Sequence, residues 1–375
     1  MYKFKTSPIR DIAKYYFFYI CLFLILFICI EVVVGYYLYQ SNTSKELAIR
    51  KFSNNIHNYF LSEINGSIDK KSGLSAPDNF TKPERFSTNP FISNAPDGAQ
   101  IRFHPFLGFT NTHHSTGSFN NDFFGFRNSN NIYFSDRNES DFIVLMTGGS
   151  ECAGYSHLNE TILEIIQKKL QATAQKKKIK ILNLCMNSYT ITSEIQSYIL
   201  LAYKLKPDVV ISHSGWNDAI YGLLVSSEFV KTGLIYNKWQ EAWIEKFYGS
   251  SKNKFIDSQA FANPHFENKK LIIENYWNQV NKYKYIVEQN QGHFILGIQG
   301  YNKYIANDGM MELHHATHSV MSTLIDQLPS DVSYLNINTL EGIKFIDSCH
   351  TSQKSAELIA DKYYTYIYKK FYKVL

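Results

Sequence analysis

Apolar positions group in two ways along the chain. Before residue 40 they form one long run, "YYFFYICLFLILFICIEVVVGYYLY" (15–39), interrupted by a single charge at Glu31. From 142 onward they come as short runs separated by stretches in which apolar residues recur every three or four positions. Short runs predict buried strands, and the three-to-four spacing predicts helices with one apolar face. Strands are expected at 142–148 (FIVLMTG), 179–186 (IKILNLCM), 208–215 (DVVISHSG), 293–299 (HFILGIQ) and 333–338 (SYLNIN). Between them Ile162, Ile165, Ile166 and Leu170 share one helical face, and "TSEIQSYILLAYKL" and "NKKLIIENYWNQVNKYKYIVEQN" repeat the pattern. Strand, helix and strand in succession require right-handed crossovers and a parallel sheet covered on both faces. The expected fold class is therefore α/β, a three-layer sandwich around a central, mainly parallel five-stranded sheet.

The run at 15–39 is long enough to cross a hydrocarbon core of about 30 Å, which predicts a transmembrane helix. A cleaved signal peptide is the rival reading. The run exceeds the length of a signal-peptide core, and no small-x-small cleavage site follows it cleanly. Lys3, Lys5, Arg10 and Lys14 precede the span against the single acid Asp11, so the short N-terminus (1–14) is expected in the cytoplasm and the rest of the chain outside it. Lys45, Arg50 and Lys51 on the far side oppose that orientation, and Glu46 and the long translocated domain reduce their influence. Residues 40–100, rich in Ser, Asn, Lys and Pro, read as a stalk or cap, and 101–375 as the folded domain. Within it, the aromatic-rich segment 219–265 breaks the rhythm and reads as a lid or as a helical insertion packed on the core.

Composition narrows the choice of function. Of 375 residues 45% are hydrophobic and 19% charged, the balance of an ordinary globular protein. The net charge of +5 is spread along the chain and forms no basic block beside stacking aromatics, so no nucleic-acid partner is expected. Cys21 and Cys29 lie in the span. Cys152, Cys185 and Cys349 show no zinc spacing and too few members for a disulfide framework, and are expected as small buried residues. The pairs His113/His114 and His314/His315 suggest metal, yet adjacent histidines point in different directions. Neither a metal nor a cofactor is expected.

In open α/β sheets ligands bind beyond the carboxyl ends of the strands. Three of those ends are polar: Gly148, Gly149 and Ser150; Asn183, Cys185 and Asn187; Gly215, Asn217 and Asp218. Asp347 and His350 stand just before a long C-terminal helix. A hydroxyl, an imidazole, a carboxylate and amide donors are what acyl transfer from an ester requires. The glycines let the chain turn tightly enough to place Ser150 at a helix start.

The blocks "TGGSECAG", "NLCMNSYT", "SGWNDAIYG" and "DSCHTS" occur in order, and together they resemble the SGNH, or GDSL-like, hydrolases. The resemblance covers roughly 101–370 and implies a flavodoxin-like sheet. It implies that Ser150 is the nucleophile, His350 the general base and then acid, and Asp347 the residue orienting His350. The oxyanion would be held by the Ser150 backbone N–H, the Asn217 side chain and a third donor. Where the family pattern has a glycine for that third donor stands Cys185, with Asn187 as an alternative alignment; either the acyl pocket is narrowed or that donor has moved. "HPFLGF" and "NNDFFGFRN", with Arg127, resemble the segments that precede the serine strand in membrane-anchored relatives. An α/β-hydrolase fits less well, because "GGSEC" lacks the second glycine of its elbow.

The expected function is a membrane-anchored serine esterase or O-acyltransferase acting on acyl, notably acetyl, groups of an extracytoplasmic glycan. Trp239, Trp243, Tyr236 and Phe247 are candidate sugar-stacking residues or lid core. The alternatives are a non-catalytic glycan-binding or accessory protein of a cell-envelope assembly, and a lipid esterase.

Overall fold

The computed structural model describes residues 92–94, 100–104, 106–111, 121, 122, 124–128, 137–154, 160–232, 260, 263–302 and 311–375, all within one compact unit, Pro83–Leu375. The expected span at 15–39, most of the 40–100 segment, His113, His114 and the four aromatic residues of the insertion lie outside the described residues. Among the described residues no helix is long and apolar enough to cross a membrane.

Five strands, β4 (Asp141–Gly148), β5 (Lys178–Cys185), β6 (Val209–Ser214), β7 (His293–Ile298) and β8 (Tyr334–Asn336), form one sheet in the order β5-β4-β6-β7-β8, each pair parallel. Each expected strand is present, with ends shifted by one or two residues. All eight residues of β4 are buried, which is why its sequence reads as a continuous apolar run rather than an alternating one. The chain leaves β4 to one side for β5 and returns to the other for β6. That reversal opens a crevice beyond the carboxyl ends of β4 and β6.

The described α-helices are α1 (Ser150–Ala153), α2 (Ile162–Thr173), α3 (Ile191–Ser197), α4 (Trp216–Gly222), α5 (Ser227–Thr232), α6 (Lys269–Gln289), α7 (Met311–Asp326) and α8 (Gln353–Phe371). On one face α2 and α8 pack together, and Ile162, Leu163, Ile166 and Leu170 join Val144, Met146, Ile211, Ile359 and Tyr363 in the core. Full burial of each such aliphatic side chain contributes about 1.5–3 kcal/mol. The start of α2 is fixed by a capping box: Glu164 N donates to Thr161 Oγ1 (3.1 Å), and Thr161 N donates to Glu164 Oε2 (2.7 Å). On the other face α6 packs against α3, α4 and α7. The segment read as an insertion from 219 begins inside α4, and its first residues continue through α5, which packs on α6; its middle, 233–259, is not described.

A second sheet, absent from the strand pattern, joins β1 (Ile92–Asn94), β2 (Gln100–His104) and β3 (Gly108–Asn111) in antiparallel register. The 100/101 boundary falls inside β2, between Gln100 and Ile101. These strands are three to five residues long and sit among turn residues, too short to show a period. Asn128 lies at the open edge of β5. Asn128 Nδ2 donates to Asn183 O (2.9 Å), and Asn183 N donates to Asn128 Oδ1 (2.7 Å), so a side-chain amide stands in for a neighbouring strand. Asp122 holds the chain before Asn128 in shape by accepting from Phe124 N, Phe126 N and Asn128 Nδ2.

Candidate active site

At the end of β4 the backbone of Gly148 has φ +153°, and a Cβ there would stand 2.2 Å from His213 O and 2.5 Å from Cys152 Sγ. Only glycine lets β4 pass this close to β6 while turning into α1. Gly149 follows, and then Ser150 as the first residue of α1, half-buried. A residue in that position has no intrahelical acceptor for its N–H, so the Ser150 N–H faces the crevice end of the helix.

The loop before α8 carries the other two members of the set. Asp347 Oδ1 accepts from the backbone N–H groups of Cys349 (2.9 Å) and His350 (2.8 Å), folding the loop around its own carboxylate. Its Oδ2 lies 2.6 Å from His350 Nδ1, and His350 Nε2 lies 2.7 Å from Ser150 Oγ. A carboxylate only accepts, which places the ring proton on Nδ1 and leaves Nε2 to accept from the Ser150 hydroxyl. The structure thus brings Ser150, His350 and Asp347 into one hydrogen-bonded line across the crevice.

Burial raises the Asp347 pKa, but the hydrogen bond and charge of His350 and the two backbone donors outweigh it and bring the carboxyl down to about 2. For His350 burial acts to lower the pKa; the neighbouring Cys349 and Asp347 oppose it, and the net shift is upward. The Cys349 thiol, 3.8 Å from His350 Nδ1, is itself pushed up by burial. Asp347, Cys349 and His350 offer donor atoms within 4.8 Å of one another, a set able to hold a metal ion among the described residues. Both ring nitrogens of His350 are engaged in the line just described. His314 is buried against Trp216 whereas His315 is exposed, so that pair diverges.

Asn217, the second residue of α4, donates from Nδ2 to Tyr189 O at 2.8 Å. Its amide packs on Gly149, where a Cβ would stand 2.5 Å from Nδ2. One of its two N–H groups anchors it against the residue before Ser150. Tyr189 in turn donates its hydroxyl to Phe109 O (2.8 Å), so the β1-β2-β3 sheet supports the loop that orients Asn217. The next residue, Asp218, accepts from Ile191 N through both carboxylate oxygens and ties the starts of α4 and α3 together.

Cys185 is corrected on two counts. Its N–H donates to Asn183 Oδ1 at 2.9 Å, which removes it from the oxyanion donors, and its sulfur is bonded to Cys152. The expectation of unpaired cysteines fails for this pair and stands for Cys349. Thirty-three residues separate the two, and their meeting depends on the register that sets Gly148 opposite Cys185 in the β4–β5 pair. Asn187 is half-buried in the following turn, and Ser188 adopts φ +66°, a left-handed conformation rare outside glycine. The local sequence signal for this turn was its polar composition; its backbone conformation is invisible without a glycine. Arg127 donates from Nη1 to Gly154 O (2.6 Å), holding the far end of α1.

No protein-family model and no curated protein matches the chain. Solved structures similar to it include a lipase/acylhydrolase from Enterococcus faecalis (15% identity over 61% of this chain and 96% of that one, TM-score 0.31). A psychrotrophic esterase from Pseudoalteromonas (16% identity, 62% and 99%, TM-score 0.36) and an acetylxylan esterase from Geobacillus stearothermophilus (15% identity, 61% and 94%, TM-score 0.36) are also similar.

Proposed function

We propose that the protein is a serine hydrolase or acyltransferase of carboxylic esters, with Ser150 as nucleophile, His350 as base and acid, and Asp347 as the residue that orients His350. The observation that carries this reading is the line Ser150 Oγ to His350 Nε2 (2.7 Å) and His350 Nδ1 to Asp347 Oδ2 (2.6 Å).

In the reaction, Ser150 Oγ attacks the ester carbonyl as His350 Nε2 takes the hydroxyl proton. Asp347, ionised and accepting from Nδ1–H, stabilises the imidazolium that forms. Negative charge on the former carbonyl oxygen is met by the Ser150 N–H and the second Asn217 N–H. Collapse expels the alcohol, protonated by His350, and leaves an acyl group on Ser150. Water or a sugar hydroxyl then gives up its proton to His350 and removes the acyl group, which regenerates Ser150.

The substrate class we propose is a short acyl group, acetyl above all, on a glycan outside the cytoplasm, with the chain anchored by its N-terminal apolar run. It rests on the four sequence blocks and the apolar and basic pattern of 1–39. The Cys152–Cys185 disulfide supports an oxidising compartment. The non-catalytic alternative rests on Cys185 standing where the family pattern has a glycine, with its N–H turned to Asn183 Oδ1.

The test is hydrolysis of a short-chain aryl acetate by wild type, Ser150→Ala and His350→Ala, with labelling of Ser150 by a fluorophosphonate. Loss of turnover in both variants by about 10³-fold or more is expected. Equal rates in all three proteins would overturn the assignment. Products formed with an added glycan acceptor separate hydrolysis from transfer, and a preference for long-chain esters would replace the glycan with a lipid.

A further inference from the structure

Two successive pairs of residues meet across the crevice. Ser150 meets His350, and the residue after each one, Glu151 and Thr351, meet as well. Thr351 N donates to Glu151 Oε2 at 2.9 Å, and Thr351 Oγ1 donates to Glu151 Oε1. Glu151 is 1% exposed and Thr351 2%. The ester reaction described above gives Glu151 no task, yet the chain places a carboxylate in its interior one residue from the nucleophile.

A carboxylate is costly to bury unless its oxygens are matched by donors, and here both oxygens are matched by one residue. That residue belongs to a loop braced from within and also tied to the segment after β7, where Asn302 N donates to Ser348 O (2.8 Å) and Gln299 Nε2 to Cys349 O (3.4 Å). Phe345 and Thr351 form a bridge, Ile346 N donates to His350 O (2.8 Å), and Ser352 N donates to Lys344 O (2.9 Å). The loop is thus a small rigid body that carries His350, and Glu151 grips it next to the imidazole. On its own side Glu151 sits in α1, which Cys152 bonds to β5 and Arg127 holds at Gly154. The clasp therefore joins two bodies, one carrying the nucleophile and one the base. A few tenths of an ångström between these bodies decide whether Oγ and Nε2 share a proton.

We propose that Glu151 is a positioning residue whose buried carboxylate clasps Thr351 and thereby sets the approach of His350 to Ser150. The inference rests on the reading of Ser150 and His350 as nucleophile and base. An apolar side chain at 151 would fill the space but leave the Thr351 N–H and hydroxyl without this acceptor. Glutamine keeps one acceptor oxygen, and its amide can donate to the Thr351 hydroxyl if that group turns, so it preserves part of the clasp. Serine at 351 preserves both donors, whereas valine deletes the hydroxyl and keeps the shape.

The experiment uses the full-length protein and the aryl acetate, with kcat and KM measured for Glu151→Ala, Glu151→Gln, Thr351→Val, Thr351→Ser and the double variant Glu151→Ala/Thr351→Val. Misplacement by about 1 Å lowers kcat about 10²-fold in Glu151→Ala with KM little changed, because ground-state binding does not use the clasp. Glu151→Gln and Thr351→Ser recover most of the rate, and the double variant is no slower than Glu151→Ala. A wild-type kcat in Glu151→Ala, or a fully additive double variant, would overturn the proposal. Crystals of wild type and Glu151→Gln give a readout independent of turnover: the Ser150–His350 contact is kept in both, and it lengthens beyond hydrogen-bond reach in Glu151→Ala. An unchanged contact in the alanine variant sinks the clasp, whereas an inactive, unlabelled wild type with an intact contact sinks the ester reading instead.

Discussion

His350 Nε2 stands 2.7 Å from Ser150 Oγ across 200 residues of chain, while Nδ1 of the same ring faces Asp347 at 2.6 Å and Cys349 Sγ at 3.8 Å. His350 acts as a base only when neutral, so activity is absent below its folded pKa and appears as pH rises through it. Burial lowers that pKa, Cys349 and Asp347 raise it, and the balance is upward from 6.5. The acid limb of kcat/KM is therefore expected above pH 6.5. Asp347→Asn moves the limb to lower pH and lowers the plateau about 10²- to 10⁴-fold. Cys349→Ala separates the two neighbours: a limb that moves implicates the thiol, and an unmoved limb leaves the rise to Asp347. A wild-type limb below pH 6.5 contradicts this account.

The central sheet was legible because β4, β5, β6 and β7 are largely buried runs of six to eight residues; Ser150 and Asn217 stand just past the ends of such runs, and Asp347 and His350 were legible as a polar pair just before the long C-terminal helix. What escaped is non-local. The Cys152–Cys185 bond follows from a strand register, and the loss of the Cys185 N–H follows from where the Asn183 side chain turns. Glu151 reads as an ordinary first-turn acid of a helix, and its partner lies 200 residues away. The β1-β2-β3 sheet escaped because its strands are too short to show alternation.

Asn217 holds its place by one N–H to Tyr189 O and by contact with Gly149. Removing the amide in Asn217→Ala is expected to cost about 2.7–4 kcal/mol of transition-state stabilisation, read as a drop in kcat with KM nearly constant. Gly149→Ala puts a methyl 2.5 Å from the amide nitrogen and should reproduce much of that loss while leaving Asn217 in the sequence. Steady-state kinetics of both variants decide the point. A fall confined to KM would mean that Asn217 binds substrate rather than the oxyanion.

Reduction of the Cys152–Cys185 bond frees the floor of α1 from β5 and opens a loop of 33 residues. Bonds of this kind stabilise by roughly 2–4 kcal/mol, so the Cys152→Ala/Cys185→Ala protein should melt several degrees lower. It should also lose turnover at temperatures where it remains folded, because Ser150 is two positions from Cys152. Alkylation of unfolded, unreduced protein checks the premise: Cys349 is modified, whereas Cys152 and Cys185 are modified only after reductant. Labelling of all three without reductant would exclude the bond.

Beneath the site, Glu194 accepts from Thr147 Oγ1 (2.7 Å) and Ser212 Oγ (2.6 Å) and is fully buried, which raises its pKa from 4.5 to about 7. Between these values the unfolded chain releases a proton that the folded protein keeps. The stability associated with this group is therefore complete below pH 4.5, declines as pH rises toward 7, and is flat above; the full change is about 3 kcal/mol. His213, which burial lowers from 6.5 to about 4, acts in the opposite sense, costing stability as pH falls through the same interval. A wild-type profile alone therefore mixes the two groups. Glu194→Gln keeps an acceptor for the hydroxyls of Thr147 and Ser212 but cannot ionise, and it also removes a charge that, with burial, raises the Asp218 pKa. The difference in unfolding free energy between variant and wild type cancels His213 and should grow in favour of the variant from pH 5 to pH 8. Denaturant titrations at those two pH values measure it, and a difference that stays constant would show that Glu194 is ionised in the folded protein throughout.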